Sequence, residues 1–132
     1  MAATGSFYTW KDSLALEAHA AWEDGAGVTV TGDSEHFIGK TAAPTAGGAI
    51  DYVTVTKSTE AGQSIDVAKA QIGDVVQLRA DAAIALDANV AVQTNGRFIT
   101  AVSTNTSQFK AIQAAEQGSV FSAIRIEAVT IA

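Results

Sequence analysis

The chain has no cysteine, so it can form neither a disulfide nor a thiolate metal site, and cysteine usage gives no hint of a redox compartment. Cations are scarce and scattered: Lys11, Lys40, Lys57, Lys69, Arg79, Arg97, Lys110 and Arg125 stand singly against a formal net charge of −6. Phosphate backbones and anionic bilayers select clustered cations, so this spacing argues against nucleic-acid partners and against a membrane surface. No apolar run approaches the roughly 20 residues of a membrane helix. The start, MAATGSFYTWKDSLALEAHA, lacks the basic-then-apolar plan of a secretory leader. The expectation is a soluble protein, not visibly addressed for export.

Catalytic and cofactor signatures are missing as well. There is no GxSxG, no GxxxxGKS, no GxGxxG and no DxDxDG. His19 and His36 are the only histidines, and without a third nitrogen ligand they form no recognisable metal motif. WEDG at 22–25 and GDSEH at 32–36 bring acids close together, but calcium wants more oxygen ligands in a defined loop pattern. Asp51, Asp66 and Asp74 lie in or beside strands and are expected to face solvent. The chain is therefore read as a non-enzyme with no cofactor and no metal.

What is present is alanine, β-branched residues and glycine. At 132 residues the chain suits one domain, and 48% of it is hydrophobic. Much of that share is alanine, so the core is lean in aromatics. Such leanness often accompanies oligomers that share apolar surface. From Val28 onward the pattern is β. VTVTG at 28–32, AIDYVTVTK at 49–57, SIDVAKA at 64–70, DVVQLRA at 74–80, NVAVQ at 89–93, RFITAVS at 97–103 and AIRIEAVTIA at 123–132 place β-branched residues at period two. Glycine turns separate them. Asn95-Gly96 predicts a hairpin with a type I′ turn, whose two central residues both need φ > 0. Two segments suggest short helices: QFKAIQAAEQG at 108–118, ending at a plausible C′ glycine, and DSLALEAHAAWEDG at 12–25. Residues 1–16, with Phe7, Tyr8 and Trp10, read as an N-terminal arm or edge segment.

One phrase occurs twice. Ala18, Ala20, Ala21, Ala26, Val28 and Val30 match Ala80, Ala82, Ala83, Ala88, Val90 and Val92 at an offset of 62. That is six matches in fourteen positions, where such a composition gives about one by chance. Phe37, Ala42 and Ala43 align next with Phe109, Ala114 and Ala115, and AIDYVTVT at 49–56 with AIRIEAVT at 123–130. The expectation is a mainly β fold, a compact β-sandwich or barrel-like domain over 17–132. It is built from two related β-units, at about 18–56 and 80–130, with one or two short helices and the arm.

The stretches RADAAIALDANVAVQTNGRFITA at 79–101 and FKAIQAAEQGSVFSAIRIEAV at 109–129 resemble the plan of tailed-phage capsid decoration proteins, also called cement or head-stabilising proteins. Ala83-Ile84 matches the alanine-rich lead, Gly96-Arg97 the hairpin, and Ala111, Ala114, Ala115 and Gly118 the small-residue segment. The first half is similar through Gly25, Gly39, Ala42 and Ala43. The chain departs from the pattern at Asp87-Ala88-Asn89, where the family carries a turn glycine. The resemblance implies a β-rich homotrimer on the outer surface of a phage head, made in the host cytoplasm. It also implies a partner in the major capsid protein and a role in capsid stabilisation. In that setting Phe7, Tyr8, Trp10 and Lys11 are the expected capsid-contact residues, because aromatics dominate interface hot spots. The alternatives are a carbohydrate- or ligand-binding β-domain, with Trp22 or Tyr52 stacking on a sugar, and a fibre or surface-structure subunit.

Overall fold

A computed structural model describes residues 13–32 and 39–132. Ten strands occur among them: β1 (Ser13–Glu17), β2 (Gly27–Thr31), β3 (Lys40–Ala42), β4 (Tyr52–Thr54), β5 (Ser64–Ala68), β6 (Val75–Arg79), β7 (Asn89–Val92), β8 (Phe98–Thr100), β9 (Thr106–Ala111) and β10 (Val120–Thr130). The protein is all-β among the described residues.

The first five strands close into a barrel in the order β1-β3-β2-β4-β5, with β5 returning to β1 over five residue pairs. The last five form a sheet in the order β6-β10-β9-β7-β8. A parallel bridge between Ala80 and Phe98 joins its two ends, so this set also closes into a ring. The two rings have the same pairings. β1·β5, β2·β3, β2·β4 and β4·β5 are antiparallel, as are β6·β10, β7·β8, β7·β9 and β9·β10. The one parallel contact is Glu17 to Lys40 in the first ring and Ala80 to Phe98 in the second.

The repeated alanine phrase builds the link between the first and second strand of each ring, and it is clasped by the link between the fourth and fifth. In the first ring Ala18 N–H donates to Gln63 O, Gly62 N–H to Ala18 O, Gly25 N–H to Thr54 O and Thr54 N–H to Ala26 O. Trp22 and Ser58 exchange both backbone bonds. In the second ring Ala80 pairs in the same way with Ser119 and Gly118, Asp87 and Ala88 with Ala111, and Ile84 with Ala115. Ala18, Ala80 and Ala111 are fully buried. At the crossing of two backbones a methyl group fits and a longer side chain does not.

The two expected helices are instead parts of this clasp. In 12–25, Leu14 and Leu16 sit at a spacing of two on β1, with Leu16 buried and Ala15 exposed. In 108–118, Phe109 and Ala111 turn inward along β9, as Ser107 does just before them, and the residues after them form the connector. Alanine and glutamine favour helix only weakly, and cross-strand pairing overrode that preference. Residues 13–16, within the expected arm or edge segment, form the start of β1. Residues 1–12, and with them Phe7, Tyr8, Trp10 and Lys11, lie outside the described residues.

Spatial equivalence departs from the sequence alignment after the first block. By pairing, β4 corresponds to β9 and β5 to β10, so 49–56 and 123–130 are not counterparts. Valine and threonine alternate in every strand of such a fold, and alternation alone scores well against alternation. The hairpin at Asn95-Gly96 is present, but its turn is the longer kind. Gly96 N–H donates to Gln93 O, and only Gly96 takes positive φ (83°). A type I′ turn would need Asn95 there too.

Each ring encloses its own apolar cluster. Leu16, Ala18, Trp22, Ala26, Val28, Ile65 and Val67 fill the first. The second holds Leu78, Val90, Val92, Phe98, Phe109 and Phe121 among others, with Phe98 and Phe109 edge to face at 6.1 Å. Ile50 and Val53 belong by sequence to the first ring but are buried in the second cluster. The loop before β4 is what carries Ile50 across.

Candidate functional site

The surface between the rings holds most of the polar chemistry. Among the described residues four backbone bonds cross it: Gly27 N–H to Gly96 O, Arg79 N–H to Gly25 O, Gly47 N–H to Val92 O and Thr106 N–H to Gly47 O, all between 2.8 and 2.9 Å. Two arginines of the second ring reach the acids of WEDG. Arg97 binds Glu23 with two bonds, Nε to Oε1 at 2.7 Å and Nη2 to Oε2 at 2.9 Å. Arg79 Nη2 meets Asp24 Oδ1 at 2.9 Å and Nη1 donates to Gly118 O. The hydrogen bond from Arg97 is the main reason the Glu23 carboxyl lies below its ordinary range, with the charges of Arg97 and Arg79 adding to it. These acids therefore staple the rings together. Among the described residues, no group of three or more His, Cys, Asp or Glu side chains could hold a metal ion.

His19 is part of the clasp of the first ring. Its Nδ1 accepts from Trp22 Nε1–H at 3.1 Å and lies 2.9 Å from Thr41 Oγ1. Burial, reinforced by the charge of Lys40, lowers its pKa. An accepting Nδ1 requires the neutral ring with its proton on Nε2. His36 lies outside the described residues. Trp22 is only 7% exposed, so its ring has no face to offer a sugar.

On the other side of the seam, β4 and the end of β5 face β9 and β10 across a half-open groove of about 380 Å3. Its floor is apolar: Ile50, Val53 and Phe109 are buried. Its rim carries Asp51, Tyr52, Lys69, Gln108 and Arg125. Gln108 copies a strand partner with its side chain, accepting from Ile50 N–H at 2.8 Å and donating to Ile50 O at 3.3 Å. That bond pair fixes the loop before β4. Asp51 Oδ2 accepts from Val30 N–H at 3.1 Å. Arg125 lies over the Phe109 ring at 5.9 Å, and its Nη1 donates to Gln108 O and Ile126 O. Of the sugar-stacking candidates, Tyr52 is at this groove, half-buried.

No family model and no curated protein matches the sequence. The fold does have a solved counterpart. The N base of the head fibre protein gp8.5 of bacteriophage phi29 superposes with a TM-score of 0.71 at 15% identity, over 86% of this chain and 92% of that one. The likeness spans both rings. Identity this low compares architecture, and it carries no individual residue from one protein to the other.

The groove residues were not visible in the sequence as a set. Arg125 reads as one more polar position in the alternation of the closing strand, and Gln108 as part of a helix. Only the folding of β4 onto β9 brings Asp51, Lys69, Gln108 and Arg125 to one place. Glu23 and Asp24 drew attention as a calcium candidate, and the structure assigns them to Arg97 and Arg79.

Proposed function

We propose that this chain is a structural protein of a tailed-phage head, docking as a stiff β-body on the outside of the assembled capsid. The observation that carries the reading is the likeness to a phage head-fibre base over nearly the full length of both chains. The sequence resemblance to capsid decoration proteins points to the same location independently. The reading is non-enzymatic: the sequence carries no recognisable catalytic motif, and the acids of WEDG are paired with Arg97 and Arg79.

On this reading the protein stabilises the major capsid lattice by mass action, because it binds the assembled shell and not the free subunit. A homotrimer holds three points at once, so weak single contacts become strong through effective concentration. Two rings joined by backbone bonds and bidentate ion pairs lose little conformational freedom on docking. Purified protein added to bare phage shells is expected to bind at a saturable stoichiometry and to raise the temperature at which the shells open. Absence of saturable binding overturns the proposal.

The fold neighbour favours a second reading, in which the chain is the base of a head fibre. A base also saturates its sites on the shell, but it leaves the opening temperature unchanged.

A further inference from the structure

We infer that the groove between the rings is a binding site for a carboxylate, presented by an acidic residue of a partner polypeptide. The argument begins with charge. The chain carries 14 acids against 8 bases, so its cations should find partners easily. Arg79 and Arg97 do. Arg125 does not: among the described residues no carboxylate lies within 4 Å of its guanidinium, although it is half-buried. Its Nη1 is held by two backbone carbonyls and its plane lies over Phe109. Nε and Nη2 make no hydrogen bond among the described residues. Those two atoms form the edge that Arg97 uses to grip Glu23. Lys69 lines the same groove, is exposed, and makes no hydrogen bond or ion pair among the described residues.

The rest of the groove narrows the ligand. Ile50, Val53 and Phe109 form a floor suited to methylene groups. Asp51 stands at the rim with Oδ2 on Val30 N–H and Oδ1 without a protein partner among the described residues. A second negative charge, as on a phosphate dianion, would face Asp51. A single carboxylate on an aliphatic stem, with an N–H nearby to donate to Oδ1, satisfies every group at once. That is the chemistry of a glutamate or aspartate within a chain. A volume of about 380 Å3 admits one such residue and parts of its neighbours. This inference deepens the proposed function, on which the acidic segment belongs to the shell.

The test uses the full chain, labelled with 15N and titrated with N-acetyl-glutamate N-methylamide. Saturable shifts at Arg125, Lys69 and Tyr52, with a midpoint on the order of millimolar, are expected. The neutral N-acetyl-glutamine N-methylamide should give none. Arg125→Met should weaken binding about tenfold or more, the loss that follows from removing a charge-assisted pair. Lys69→Met, at an exposed side chain, should weaken it less while leaving the spectrum folded. Equal binding of the glutamine compound, tighter binding of inorganic phosphate or glucuronate, or no groove shifts at tens of millimolar would overturn the inference. Shell binding separates it from the wider proposal. Groove binding without shell binding leaves the carboxylate site standing and removes the capsid. Shell binding that Arg125→Met and Lys69→Met leave unchanged, with no groove shifts, does the reverse.

Discussion

Gly96 is where the packing of one ring against the other can be measured. A Cβ built there would lie 2.7 Å from Trp22 Cζ3 and 2.8 Å from Ala26 Cβ, both in the first ring. Neither neighbour can swing away, since one is a buried indole and the other a methyl group on backbone. Gly96 also has φ of +83°, so alanine there is strained as well as crowded. Two other glycines separate these effects. Gly118 has φ of +85° and nothing within 4 Å of its Cβ position. Gly27 lies in β2 with no positive φ, but its Cβ would meet Ile50, Phe98 and Val92 side chains at 3.0 Å. Strain for an L-residue in the left-handed region is about 1–2 kcal/mol, offset by about 0.4–1 from the stiffer unfolded chain. Overpacking adds about 1–3 kcal/mol. Gly118→Ala should therefore cost about 1 kcal/mol, Gly27→Ala about 1–2, and Gly96→Ala about 3, the sum of both effects. Urea unfolding followed by tryptophan fluorescence and by circular dichroism gives the three midpoints at a common slope. If Gly96→Ala proves no worse than Gly118→Ala, the rings are not in rigid contact and the account of the seam is wrong.

Three further outcomes are expected. The His19 ring is neutral in the fold with its pKa depressed below 6.5, so its contribution is complete above that value and is lost as pH falls through the lower folded-state pKa. Wild type should lose more stability between pH 7.5 and 5 than His19→Gln does, as read from urea midpoints. Glu23 is likewise depressed from 4.5, so its contribution persists above that pH and fades as acid protonates it. Because over two fifths of its side chain is exposed, Glu23→Gln should cost only about 1 kcal/mol, less in high salt, and urea curves at two ionic strengths check both parts. Asp87 takes φ of 70° at the position of the link between first and second strands where Gly25 turns left-handed in the other ring. Asp87→Gly should be close to neutral, whereas Asp87→Ala should cost about 1 kcal/mol, as thermal melts will report.

Most strands were legible because β-branched residues at period two have few other uses. β2, β4, β5, β6, β7, β8 and β10 all begin within three residues of the expected runs. β1 and part of β9 fall in the segments 12–25 and 108–118, whose alanine with leucine or glutamine favours helix, although Leu14, Leu16 and Ala18 already alternate. β3 has three residues, too few for any periodicity to register. The alanine phrase falls in the link between the first two strands of each ring, where backbone crossing restricts side-chain size at fixed positions. Beyond that phrase only alternation remained, and it matched the wrong strands. The groove could not be read at all, because its five rim residues come from four segments, and their meeting depends on Ile50 crossing into the other ring.

That crossing has a practical consequence for anyone who would re-engineer the molecule. The loop that delivers Ile50 is pinned at Gly47, between Val92 and Thr106. The tips at Gly62 and Gly118 face open space. An insertion at either tip would have to keep the clasp bonds from Gly62 to Ala18 and from Gly118 to Ala80, and the two halves, which share Ile50 and Val53 in one cluster, are expected to unfold together.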